Sequence, residues 1–426
     1  MKKIKVLWFT NTPSCYLQVN KLDGKNSYNG GGWISSSEKV IRKNKDLELA
    51  VSFILDKQPQ KVEQNGVIYY PIKTQKKNTI SKIKCRLKTL IMNPQKYERS
   101  TWPFFLDQFK YIIEDFKPDI IHVWGSEQVF GLIWKITNTP VILHLQGIMN
   151  PYMNAYAPPG ISWKDIVKKE QGLQKWLKAY YEQKIWKGSI YRETEIFKGI
   201  TASLGRTDWD KRVAYCLNPQ IKYYHVDEIL REKFYNHFVR KLPKKLTIVT
   251  TISSPPYKGY DLILKTAQIL KENLNLDFVW NCFGNINPRT IEKIIGIQHE
   301  NVNVKLMGVA SSEQLCKMEL SATLYFHPSY IDNSPNSLCE AQMLGLPIIA
   351  TNVGGISSLV TDGKDGFLIP ANDPYQAAYF IEHLANNPNL NITMGENGKK
   401  KAYNRHNPQK IISQILNTYK SIIGIE

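Results

Sequence analysis

Asp332 and Glu340 bracket the turn Ser334-Pro335-Asn336-Ser337, where an apolar run gives way to a helix-like segment. The run 322–327 reads as a strand. Ser334 reads as the helix N-cap, Pro335 as its first residue and Gly345 as its stop. Unpaired amides and the positive dipole end at such a helix start suit a phosphate, so Asn336, Ser337 and Leu338 are candidate phosphate ligands. Two carboxylates beside a phosphate pocket suit a hydroxyl-rich ligand such as ribose or another sugar. An ordinary strand–helix unit explains the apolar residues and Gly345. It does not explain Asp332, the polar turn and Glu340 together.

A second cluster follows the run 246–252. In Ser253-Ser254-Pro255-Pro256-Tyr257-Lys258-Gly259, Lys258 offers a mobile point charge for phosphate and Gly259 a tight turn. Gly284-Asn285 and Gly308-Val309 close the next two apolar runs and would line the mouth of a nucleotide site. In the first half, Gly30-Gly31-Gly32 precede Trp33 at a helix start, where a backbone can approach a ligand closely. Gly31 and Gly32 are candidate diphosphate contacts, but no Gly-x-Gly-x-x-Gly is present, so a dinucleotide site is not supported. His144 and His122 stand at the ends of two further apolar runs and could exchange hydrogen bonds with a substrate near neutral pH. Asp208-x-Asp210 has the letters of a metal motif. Thr207 as N-cap with Asp210 at the third helical position reads instead as a capping box, so no metal is expected and Arg206 alone is kept as a site candidate.

These residues resemble the donor-site signature of retaining glycosyltransferases of family four, which have the GT-B fold. In that family two Glu residues bracket the nucleotide-sugar; here Glu340 matches the second and Asp332 replaces the first. Gly354-Gly355 match a later glycine pair, while Ser358 stands where the family usually has Glu. Lys258-Gly259 resemble the diphosphate loop, but its Arg position is Ser253, so a cation is missing. The His144 turn is similar to one that places a His near the reacting carbon.

The resemblance implies a metal-independent enzyme of the hexosyltransferase class without a cofactor. It would move a sugar from a nucleotide-sugar, UDP- rather than GDP-linked, to a glycan or lipid-diphosphate-linked glycan, as in cell-surface polysaccharide synthesis. Glu340 would hold the ribose, Asp332 the sugar, Lys258 and the amides the diphosphate, and His144 the sugar, with His122 and Arg206 on the acceptor side. A nucleotide-sugar epimerase shares the fold and is the alternative. A nucleic-acid-binding role would suit the charge, but no helix-turn-helix, zinc finger or aromatic RNA-binding strand is visible.

The elements that must position these groups follow from the rhythm of the chain. Its 426 residues exceed one compact core, and short apolar runs alternate with helix-like segments throughout. This predicts an α/β protein of two doubly wound Rossmann-like domains facing across a cleft, with ligands at the carboxyl ends of the strands. The first would span 1–240 and bind acceptor, the second 241–408 and bind donor. The stretch 227–245 would connect them, and an amphipathic helix over 409–426 would pack back on the first. Six scattered cysteines show no zinc spacing and read as reduced thiols. No signal or membrane-length run is visible, so a cytoplasmic location is expected. The formal charge of +19 implies an anionic partner. The basic runs 73–99 and 164–192, the latter rich in Trp and Tyr, suit peripheral binding to the inner face of an anionic membrane.

Overall fold

The computed structural model describes residues 3–16, 32–55, 60–74, 91–169, 173–236 and 238–425. Gly31 and most of the basic run 73–99 lie outside them. The chain forms two compact units. The first comprises Met1–Asn150, Leu177–Ile229 and Asn407–Glu426, and the second Pro151–Trp176 and Leu230–His406.

The first unit holds strands β1 (Ile4–Thr10), β2 (Leu47–Ile54), β3 (Val62–Gln64), β4 (Val67–Ile72), β5 (Ile120–Trp124), β6 (Val141–His144), β7 (Ala202–Gly205) and β8 (Lys222–His225). They form one sheet in the order β3-β4-β2-β1-β5-β6-β7-β8. All pairings are parallel except β3 with β4. Central strands such as β5 are buried along their whole length, as a sheet covered on both faces requires. The second unit holds β9 (Leu246–Thr251), β10 (Phe278–Phe283), β11 (Val304–Gly308), β12 (Leu324–His327), β13 (Ile348–Thr351) and β14 (Gly366–Ile369). Its order is β11-β10-β9-β12-β13-β14, all parallel. This is the doubly wound order in which the chain reverses direction between β9 and β12, the position at which such sheets bind ligands.

Every apolar run marked in the sequence overlaps one of these strands. The short β3 was not expected; its hairpin turn, Asn65-Gly66, has φ of 53° and 73°, as a two-residue turn of this type requires.

The stretch 227–245, expected as the connection between the domains, contains the division between the two units at Ile229 and Leu230. Asp227 and Glu228 are buried in the first unit, and Leu230 and Phe234 enter a core of the second. Residues 151–169, expected with the first half, belong to the second unit, where the helix Trp163–Lys169 packs on Arg289–Ile295. The helix Pro408–Ile423 belongs to the first unit and lies against Gly32–Ile41. It buries Ile411, Ile412, Ile415 and Tyr419. No helix among the described residues is long and apolar enough to cross a membrane.

Candidate functional site

In the second unit the loops after β9 and β12 meet at the reversal point. The β9 loop ends in a 3-10 turn, Pro256–Lys258, followed by Gly259 at φ 77°. A Cβ on Gly259 would stand 2.1 Å from the Pro328 carbonyl oxygen, so only glycine lets the Lys258 loop press on the β12 loop. Gly354, at φ 53°, is the same device on the other side, since its Cβ would lie 1.9 Å from the Asp332 carbonyl oxygen. That carbonyl accepts the Gly355 N–H at 2.9 Å. The Asp332 backbone is thereby held against Gly354 and Gly355.

Its carboxylate is the hub of the site. Oδ2 accepts from Lys258 Nζ at 2.7 Å and lies 3.3 Å from His327 Nε2. Ser329 Oγ donates to the same oxygen at 3.4 Å, and Tyr152 OH to Oδ1 at 3.4 Å. Burial works against the Asp332 charge, but the Lys258 ammonium and the His327 ring overcome it and hold the carboxyl below the usual range. Burial likewise opposes the Lys258 charge, and Asp332 raises it above the ordinary value.

The helix Asn336–Met343 begins beside this hub. Its N-cap is Pro335, not Ser334, and no side chain caps it, so the helix starts one residue later than expected. Pro335 adopts ψ 116°, an extended conformation outside the helical region. The Leu338 N–H closes onto the Pro335 carbonyl at 3.1 Å, which corrects its assignment as a phosphate ligand. Helix geometry leaves the amides of Asn336 and Ser337 as the first-turn donors.

Glu340 is held differently from the sequence expectation of a ribose ligand. Arg231 grips it through two bonds, Nε to Oε1 at 2.7 Å and Nη2 to Oε2 at 2.6 Å. Burial raises Glu340 and Arg231 offsets part of the rise. Glu319 lies close by and is raised well above the carboxylate range by burial and by Glu340. Arg231, Glu319, His327 and Tyr152 were missed in the sequence. A buried acid in the helix Ser312–Leu320 carried no local signal, and Arg231 stands among the charges Asp227, Glu228, Glu232 and Lys233, which hid it.

The remaining candidates are spread along the strand ends. Ser253 is exposed, and Ser254 accepts from Asn287 N–H and donates to the Asn285 carbonyl, which ties the β9 loop to the β10 loop. Gly284 donates its N–H to the Gly308 carbonyl at 2.8 Å, and Val309 is exposed. Ser334 is buried.

In the first unit His122 and His144 end up in one buried cluster with Trp8, Trp124 and Tyr419. Burial drives His122 down to about 3 and His144 well below its ordinary value, so both rings are neutral. Arg206 pairs with the buried Glu228 at 2.5 Å and donates to the Gln146 carbonyl at 3.2 Å. Asp210 caps its helix with Thr207 and accepts from Tyr223 OH at 2.6 Å, which accounts for the Asp-x-Asp letters structurally. Glu127, also missed, sits at the ends of β5 and β6. Its Oε1 accepts the Gly147 N–H at 2.7 Å, and burial pushes it up to about 7. Gly32 begins the helix Gly32–Ile41.

Residues 233–401 match the family of glycosyl transferases group 1. The D-inositol 3-phosphate glycosyltransferase of Streptomyces avermitilis is 28% identical over 149 residues, covering 33% of this chain and 32% of that protein. The capsular polysaccharide biosynthesis glycosyltransferase CapM of Staphylococcus aureus is 26% identical over 203 residues, covering 47% and 49%. These matches thus span about a third to a half of each relative's length. Sucrose-phosphate synthase from Thermosynechococcus elongatus superposes with a TM-score of 0.70 at 16% identity, covering 99% of this chain and 100% of its own. Anabaena Alr3699/HepE, solved with UDP and glucose, superposes at 0.65 and 13% identity, covering 98% and 100%.

Proposed function

Because residues 233–401 form a group 1 glycosyl transferase domain in a chain of GT-B fold, we propose that this protein is a retaining glycosyltransferase using a UDP-sugar. The observation that carries the reading is the placement of Lys258, Asp332 and the start of the Asn336–Met343 helix at the reversal point between β9 and β12. In such sheets this is where a nucleotide binds. In this reading Lys258 and the amides of Asn336 and Ser337 take the diphosphate. Asp332 then exchanges Lys258 for hydroxyls of the transferred sugar, and Glu340 exchanges part of its Arg231 contact for the ribose. Arg231 supplies the second cation that Ser253 cannot. Negative charge developing on the departing diphosphate is stabilised by these preorganised donors, the main catalytic term. Departure on the face where the acceptor hydroxyl attacks explains retention.

The acceptor side is assigned to the first unit, with His144, His122 and Arg206 as its candidate residues. The acceptor is a glycan, lipid-linked in a variant of the reading that the exposed Trp176 and Tyr180 within a lysine-rich helix support. CapM's role in capsular polysaccharide biosynthesis favours a cell-surface glycan. Thermal shift against a panel of UDP-, GDP- and ADP-sugars tests the reading. A ligand at 100 times its Kd stabilises by about 2.7 kcal/mol, so a UDP-sugar should raise Tm measurably. A panel without a shift, or one led by a GDP-sugar, overturns the donor assignment.

A further inference from the structure

We propose that Trp8, Tyr419 and His122 form a one-directional hydrogen-bond relay that fixes His144 in the tautomer with its proton on Nε2, making it a donor to a sugar oxygen. The proposal rests on the reading of His144 as the first unit's site residue. It adds three positioning residues, one of them from the C-terminal helix.

The direction follows from counting protons. Trp8 Nε1 can only donate, and it does so to Tyr419 OH at 3.0 Å. The phenol has a single hydrogen of its own, and His122 Nδ1 lies 2.5 Å from the phenol oxygen. Tyr419 therefore donates and His122 Nδ1 accepts. A neutral imidazole that accepts on Nδ1 carries its proton on Nε2. His122 Nε2 lies 3.2 Å from His144 Nδ1, so that proton is donated onward and His144 Nδ1 accepts. The remaining proton of His144 must sit on Nε2. Among the described residues that atom is buried and has no partner.

The reverse polarity is worse on its own terms. His144 would donate to His122 and His122 to Tyr419, leaving the buried phenol hydrogen with no acceptor and a bare lone pair on His144 Nε2. Two unsatisfied buried groups would replace one. Both imidazoles are neutral, for burial disfavours their charged forms, so a tautomer choice exists to be made. Trp124 stacks on both rings with centroids 4.4 Å away, which fixes their planes. The Gly125 N–H on the His144 carbonyl at 2.8 Å fixes the backbone. The single group left over is a neutral N–H donor that does not compete as a base, suited to a sugar hydroxyl or ring oxygen.

The experiment is a long-range proton–nitrogen NMR correlation on the full chain labelled with ¹⁵N-histidine, with His122→Asn and His144→Asn giving assignments. The expected result is both rings as the Nε2–H tautomer between pH 6 and 8. His144 found as Nδ1–H, or as imidazolium, overturns the relay, and the readout is taken on the wild-type chain without any activity assay. Tyr419→Phe should then mix the His144 tautomers and lower kcat at least about tenfold, as loss of the correct tautomer does elsewhere, with the donor KM and UDP affinity unchanged. Trp8→Phe, which frees the phenol oxygen to accept from His122, should mix the tautomers to a lesser degree, since Tyr419 can still donate. Unchanged tautomers and kcat in Tyr419→Phe overturn the relay. If instead His144→Asn retains kcat while the tautomers are as stated, the reading of His144 as a site residue fails, and with it the relay's role in transfer.

Discussion

Replacing Lys258 with Met should separate the phosphate from the nucleoside in binding. Lys258 Nζ stands 2.7 Å from Asp332 Oδ2, with its side chain 22% exposed, so in the free protein it is paired yet reachable from solvent. A charge-assisted bond to a diphosphate oxygen contributes roughly 1.5–3 kcal/mol, and because Lys258 gives up its Asp332 bond to make it, the Kd for UDP should rise by at most about 10- to 150-fold. Uridine, lacking phosphate, should bind both proteins equally. Isothermal titration of the two ligands decides the matter: an unchanged UDP affinity, or an equal loss for uridine, refutes the assignment of Lys258 to the diphosphate. The variant also leaves Asp332 buried without its main counter-charge. Breaking a buried pair this way costs roughly 3–5 kcal/mol, and the lower end applies because His327 remains 3.3 Å away. The pH dependence has a definite sign. Asp332 is held below its ordinary range when folded, so its contribution is present above the unfolded carboxylate pKa and is lost as pH falls through the folded value. The stability gap between wild type and Lys258→Met should therefore be widest near neutral pH and close in strong acid. Adding Asp332→Asn to the variant should recover much of the Tm.

Glu319 is raised well above the carboxylate range, so its protonated form is favoured by folding and stability should fall as pH rises through its folded pKa. Arg231→Met should steepen that fall and Glu319→Gln should flatten it; denaturant melts from pH 5 to 9 that coincide for all three proteins would contradict the cluster. Gly354→Ala should cost about 1–3 kcal/mol and weaken donor binding, because its Cβ would meet the Asp332 carbonyl at 1.9 Å; equal Tm and Kd would show that the loop yields freely. Transfer should persist in EDTA, since cations and helix amides serve the diphosphate; activity abolished by EDTA and restored by manganese would return Asp208 and Asp210 to candidacy. Co-sedimentation with anionic vesicles should exceed that with neutral ones and weaken with salt; equal binding to both would leave the charge to a soluble anionic acceptor.

The sequence made the central strands legible because they are short apolar runs buried along their length, and it made the β12 loop legible because polar residues there interrupt such runs for no packing reason. It also revealed Thr207 and Asp210 as a cap, since capping depends only on residues three apart. What it hid are the long-range partners. Nothing near Glu340 in the chain announces Arg231, and nothing near His144 announces Tyr419, 275 residues away by number, yet those pairings decide the charge and the proton position of each group. The one-residue error at Ser334 has a local cause. Proline suits the first helical position and the cap alike, because its missing N–H is an orphan in both.

The same long-range pairings bear on how the site can bind. Lys258 and Asp332, and Arg231 and Glu340, are opposite charges that each have a task in the proposed reaction and occupy one another without ligand. A nucleotide-sugar must exchange these contacts rather than add to them, so the gain per contact is the difference between two charge-assisted bonds. That lowers ground-state affinity for donor. Charge on the leaving diphosphate grows along the reaction while that on Asp332 and Glu340 does not, so the exchange turns increasingly in favour of the cations leaving their carboxylates. Interactions that strengthen in this way raise kcat rather than tighten KM. The pairs that look like obstacles to binding are therefore the means by which the site reserves its cations for the transition state.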